Sequence, residues 1–201
     1  MKATPVMKSV QLPCPLSSIR VHSGSYLSFD NPKPDQFTFA DITRGLCREH
    51  RFCGQTSSPF TVAMHLLNCL EVAKRDGVDP ETMKAVLMHD ASEAFLRDIP
   101  KPLKVLLPDY QYIEKAISNV IYEKYGINMT DPAIKKYVHD VDLEMLINEK
   151  HALFVPDKYA WPDEHNVRRH AINLYDWCDD PFTLAYQLAV EASNLGINTD
   201  I

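Results

Sequence analysis

Apolar residues recur at helical spacing over most of this chain, and prolines and capping residues mark where each run opens. The run over residues 79–97 reads as one helix. Asp79 is its N-cap, Pro80 its first position, Glu81 lies in its first turn, and Ala85, Val86, Met88, Ala91 and Phe95 form the buried side. Before it, Pro59 opens a helix carrying Val62, Leu66, Leu70 and Ala73 that stops near Gly77. Asp41 caps a short helix with Ile42 and Leu46 on one face, ending near His50, and residues 51–58 read as loop.

After residue 97 the prolines at 100 and 102 break the hydrogen-bond ladder. Asp109 then caps a helix with Ile113, Ala116, Ile117 and Val120 inward and Gly126 as its stop. Asp131-Pro132 opens another, with Ile134, Val138, Val141 and Met145 inward. Residues 154–164 are loop, and helices over about 166–177 and 180–195 finish the chain. Only the start departs from this pattern. Residues 19–21 and 26–29 flank Ser23-Gly24-Ser25 as a hairpin or two short extended pieces, followed by a turn at 31–35. The expected fold is all-α, about seven helices with a small N-terminal extended element. Residues 1–18 form a poorly ordered lead-in and 19–201 a single domain.

Composition narrows the class. A length of 201 residues suits one domain with a real core. A net charge of −6 argues against a general binder of nucleic-acid duplexes, so any phosphate-binding charge must be local. Five cysteines, an odd number without a CxxC, fit a reduced cytoplasmic protein better than a disulfide framework. No run approaches the ~18 apolar residues of a membrane span.

Several polar residues sit where burial is expected. His89 and Asp90 are adjacent, about 100° apart on a helix, and Glu93 follows at i+4 and i+3. Three such groups on an apolar helix are costly unless something binds them. A His-Asp pair alone is more often a surface pair than a ligand pair. His65 lies one turn from Val62 and from Cys69, and on its own it reads as a core histidine bonded to a carbonyl. Asp142 lies one turn from Val138 and Met145, and on its own it could be a solvated edge residue. A single divalent-metal site built from His65, His89, Asp90 and Asp142 accounts for all four together. Two imidazoles and two carboxylates suit Mn, Co, Fe, Ni or Zn, and softness alone does not choose among them.

The order His, His-Asp, Asp on successive helices resembles the HD phosphohydrolase superfamily. Residues 89–104 (HDASEAFLRDIPKPLK) resemble the HD 5′-deoxynucleotidases. Residues 51–56 with 62–65, and the Ser23-Gly24 opening, resemble phage-encoded HD enzymes that degrade dATP. The likeness covers about residues 19–150. Two positions depart from the pattern. Met64 stands where relatives carry Glu or Gln before the first histidine, and Asp140, in a second His-Asp pair, rivals Asp142. Asp142 is preferred because it begins a D-x-x-M-L-x-x-E match ending at Glu149.

The resemblance implies an HD-domain bundle and a metal-dependent phosphohydrolase of deoxynucleotides. The first expectation is a dNTP triphosphohydrolase favouring dATP and releasing triphosphate. The alternatives are a 5′-deoxynucleotidase acting on dNMPs and an inactive HD-fold nucleotide-binding protein. Glu93 would work on the attacking water; otherwise it is a surface residue paired with Arg97. Asp98 would contact the sugar or the water. Arg51 would hold phosphate; otherwise it pairs with Glu49 at the surface. Gln55, Lys101 and Lys104 join it as candidate substrate-binding residues, each lysine otherwise a solvated surface residue. Magnesium stays open beside the metals above. A homo-oligomer, no membrane, and a cytoplasmic location (the host's, if phage-encoded) complete the expectation.

Overall fold

A computed structural model describes residues 16–167, 174 and 180–199. The opening is a hairpin: β1 (Ser18–Arg20) pairs antiparallel with β2 (Tyr26–Ser28), Ile19 opposite Leu27. Strand structure thus begins at residue 18, the last residue assigned to the lead-in; residues 1–15 lie outside the described residues.

Helix α1 (Phe39–Leu46) is capped by Thr38, whose hydroxyl accepts from the Asp41 amide at 3.0 Å. Asp41 is therefore inside the first turn rather than at the cap. Its carboxylate accepts from the Ser23 amide at 2.9 Å and the Thr38 hydroxyl at 2.7 Å, tying the hairpin to the helix. Residues 51–54 form a 3-10 turn, not plain loop, and Phe52, Cys53 and Gly54 all have positive φ.

Helix α2 (Val62–Asp76) starts at the Thr61 cap, three residues later than Pro59 suggested, because Thr61 is extended and forms a bridge with His50. Eleven of its 15 residues are buried, which makes it the central helix. It packs against α3 (Pro80–Met88), α7 (Pro132–Leu153) and α8 (Pro181–Asn194). Asp79, Asp131 and Asp180 cap those three as the sequence suggests.

The largest correction concerns residues 79–97. Helix α3 ends at Met88, residues 89–92 form turns, and a single-turn helix α4 (Glu93–Leu96) follows. Single-turn α5 (Lys101–Lys104) is built around the prolines, and α6 (Pro108–Tyr125) takes Leu107, not Asp109, as its N-cap. Pro108 at the first helical position sets that start. The expected helix at 166–177 falls largely outside the described residues.

The core gathers Phe37, Phe39, Phe60, Leu66, Leu70, Leu87, Met145 and Leu184, all fully buried or nearly so. Each such side chain contributes about 1.5–3 kcal/mol by leaving water. Helix α1 lies against α4 so closely that a Cβ at Gly45 would stand 2.7 Å from the Ala94 Cα. No helix among the described residues is long and apolar enough to cross a membrane.

Candidate metal centre

Three helices deliver the four expected ligands to one point. His65 comes from the middle of α2, His89 and Asp90 from the turn after α3, and Asp142 from the middle of α7. One ligand atom from each lies within 4.8 Å of the others. His65 Nε2 is 3.4 Å from His89 Nε2, 3.4 Å from Asp142 Oδ1 and 3.8 Å from Asp90 Oδ2. His89 Nε2 is 3.3 Å from Asp90 Oδ2 and 3.9 Å from Asp142 Oδ1.

The chemistry of this donor set fits a cation. His89 Nδ1 faces the Val86 carbonyl at 2.8 Å, which can only accept, so Nδ1 carries the proton. His65 Nδ1 faces Glu149 Oε1 at 2.6 Å and donates likewise. In its neutral form each ring turns an Nε2 lone pair toward the same point, where two carboxylate oxygens also aim. Four electron pairs crowded together repel unless a positive charge lies among them. The pKa directions express the same demand. Burial and Arg51 work to lower the His65 pKa, yet Cys69, Glu149 and Asp142 hold it well above the ordinary histidine value. Burial likewise opposes the charge of His89, but Asp90 and Asp142 raise its pKa. Against their own desolvation, the histidines pull Asp90 to about 2 and Asp142 well below the usual carboxylate range.

Asp140 does not join the cluster. Its side chain is 54% exposed and pairs with Lys136 at 2.5 Å, which resolves the rivalry with Asp142.

Glu149 is the residue that sequence reasoning valued too little. It is fully buried, and its two oxygens serve two partners: Oε1 takes His65 Nδ1, and Oε2 takes Arg51 Nε at 3.0 Å. It supplies the support for His65 that the departure at Met64 had put in doubt; Met64 Sδ instead faces the Thr61 amide at 3.5 Å. The available signal was a glutamate one turn beyond Met145 on the inward stripe of α7.

Arg51 is buried rather than displayed on a loop, and its partner is Glu149 rather than Glu49. Its Nη1 sits 3.8 Å from Asp90 and 3.9 Å from Asp98. Burial works against its charge, but Glu149, Asp98, Asp142 and Asp90 outweigh that effect. Glu49 instead meets Arg97 at 3.4 Å, so Arg97 is not the partner of Glu93 either.

Glu93 is 4% exposed, and its Oε2 is buried without a hydrogen-bond partner. Lys104 Nζ lies 3.7 Å from its other oxygen and is held at 2.7 Å by Glu114. Burial first, then Asp90 and Asp98, raise the Glu93 pKa well above the carboxylate range. Asp98 borders the same space and is raised chiefly by burial. Gln55 and Lys101 are exposed, and no contact brings them to the cluster.

No family model matches the chain. Two curated proteins are similar to it, both described as uncharacterized. A protein of Rhodobacter capsulatus is 30% identical over 129 residues, 61% of this chain and 66% of its own length. YfdR of Escherichia coli is 38% identical over 147 residues, 73% of this chain and 78% of its own length. At that identity and coverage, the chain belongs to the family of the Escherichia coli protein YfdR.

Proposed function

We propose that this protein is a divalent-metal-dependent phosphohydrolase of the HD type, acting on deoxynucleoside triphosphates with a preference for dATP. The observation that carries the reading is the convergence of His65, His89, Asp90 and Asp142 on one point, with the unsatisfied carboxylate of Glu93 close to it. The four converging residues would hold the ion. When bound, it supplies Lewis-acid charge to phosphoryl oxygens and lowers the pKa of water.

The chain's own residues supply the rest. Glu93 Oε2, buried and without a partner, accepts the proton of a water attacking the α-phosphorus. The bond from phosphorus to O5′ breaks, the protonated Glu93 returns that proton to O5′, and deoxynucleoside and triphosphate leave. Burial, then Asp90 and Asp98, raise the Glu93 pKa, which makes its carboxylate a stronger proton acceptor than an exposed one. Arg51, anchored through Nε on Glu149, offers Nη1 to a phosphate oxygen in place of its long contacts to Asp90 and Asp98. Lys104 adds positive charge beside Glu93, and Asp98 bonds the sugar or orients the water. Arg51, Lys104 and the bound ion together would offset the surrounding carboxylates and the chain's net charge of −6 when a polyphosphate binds.

The test is product chromatography from a panel of mono-, di- and triphosphates with Mn, Co, Zn, Ni, Fe or Mg. Deoxynucleoside plus intact triphosphate is the expected outcome. Turnover of monophosphates alone would make the protein a 5′-deoxynucleotidase. No turnover with any ion, alongside nucleotide binding, would make it an inactive HD-fold binder.

A further inference from the structure

Helix α6 carries a polar residue at every fourth position along one face: Tyr110, Glu114, Ser118 and Tyr122. Each bonds to the stretch that holds half of the candidate site. The Tyr110 hydroxyl donates to the Arg97 carbonyl at 3.0 Å. Glu114 accepts from Lys104 at 2.7 Å. Ser118 and Ser92 share a hydroxyl–hydroxyl bond at 3.0 Å, and the Tyr122 hydroxyl donates to the His89 carbonyl at 2.6 Å. Meanwhile Ile117 and Ile121 are fully buried, so α6 is fixed to the core.

The Tyr122 bond falls on the break between α3 and α4. In an unbroken helix the His89 carbonyl would accept from the Glu93 amide. Here that amide bonds to the Asp90 carbonyl at 2.9 Å, and the Ala91 amide to the Met88 carbonyl at 3.1 Å. The chain thus turns three residues at a time through the His-Asp pair, and the His89 carbonyl leaves the backbone ladder. Tyr122 takes it, and one helical turn earlier Ser118 holds the other end of the break at Ser92. The sequence of residues 85–95 is itself compatible with a continuous helix, so something outside the segment must favour the turned form.

We infer that Tyr122, seconded by Ser118, is a positioning residue that holds the break open and so sets how His89 and Asp90 face the metal relative to Glu93. The inference rests on the metal-centre reading. Loss of the phenol frees the His89 carbonyl to recapture the Glu93 amide, which rotates the two ligands relative to each other.

The test is a titration of the full-length metal-free protein with Co(II), followed by visible absorption, alongside thermal melting. The wild type is expected to bind one ion per chain. Tyr122→Phe is expected to bind about tenfold more weakly with a changed visible spectrum, and Ser118→Ala to shift the same way by less. Tyr137→Phe is the control: its hydroxyl donates to Asp76 at 2.7 Å, away from the cluster. It should lower the melting temperature yet leave affinity and spectrum unchanged. If Tyr122→Phe fails to fold, Ser118→Ala carries the comparison. Wild-type binding with both variants within twofold, and with unaltered spectra, overturns the positioning role alone. A wild type that takes up no cobalt overturns the metal-centre reading, and this inference with it.

Discussion

Two glutamates border the candidate centre, almost equally buried at 0% and 4% exposure, and they are treated in opposite ways. Glu149 spends both oxygens on fixed partners, His65 and Arg51. Glu93 leaves one oxygen with no partner and the other facing Lys104 at 3.7 Å. A buried acceptor left unsatisfied costs about 1–3 kcal/mol. The satisfied carboxylate therefore reads as a strut and the unsatisfied one as a group kept ready for a ligand. Burial alone does not tell the two apart; the count of hydrogen bonds does.

The strongest way to break this comparison is to remove what both residues serve. Asp90→Ala is expected to abolish stoichiometric metal binding and turnover while the circular dichroism spectrum stays helical; metal retained at one ion per chain would dissolve the proposed centre. Next, Glu93→Gln should keep metal and lose rate by roughly 10²–10⁴-fold, the usual worth of one general acid–base group. Metal content falling in step with activity would make Glu93 a ligand instead.

The same variant sharpens the comparison through pH. The folded-state pKa of Glu93 lies above its unfolded value, so between the two the folded state holds the extra proton. Stability from this group therefore falls as pH rises from the unfolded value through the folded one. Metal-free Glu93→Gln, which cannot ionise, should consequently melt higher than wild type at neutral pH, with the gap closing near pH 4. An inactive variant that is also less stable at neutral pH would contradict the assignment.

Glu149→Ala should behave in the reverse sense. It strands the Arg51 guanidinium and the His65 Nδ1 proton in a buried setting, a loss of about 3–5 kcal/mol that chemical denaturation would measure. Arg51→Lys keeps the charge but loses the fork. With a charge-assisted bond worth about 1.5–3 kcal/mol, kcat/KM should fall roughly 10- to 150-fold. The smallest effect is expected at Asp140→Asn, within about 0.5 kcal/mol and with metal retained, because its ion pair with Lys136 is exposed. Asp142→Asn, by contrast, should lose the metal.

The four converging residues were legible in the sequence because each is a polar group on an otherwise apolar stripe, and such groups point to a shared partner. The hairpin and the three Asp-Pro helix starts were legible for local reasons, a turn signal and a cap. Glu149 was visible as the end of a motif, but its role was not, because its partners lie 84 and 98 residues away. The break at residues 89–92 was hidden for a related reason: Ala85, Val86, Met88, Ala91 and Phe95 keep helical spacing straight through it, and the bond that marks it comes from Tyr122 on another helix. Thr38 rather than Asp41, and Leu107 rather than Asp109, begin their helices because neighbouring Thr and Pro residues compete for the same role.

The close approach of α1 to α4 carries a consequence for the chemistry. Glycine in a helix interior is unfavourable by about 1 kcal/mol relative to alanine, so Gly45 is retained against local preference. Its missing methyl group lets the backbone of Ala94 rest against α1, and Ala94 is the residue next to Glu93. The reach of the Glu93 carboxylate toward the centre is thus gauged by a residue with no side chain at all. A single added carbon at position 45 would strike the Ala94 carbonyl oxygen and Cα, forcing α4 to shift and carrying the neighbouring Glu93 carboxylate with it.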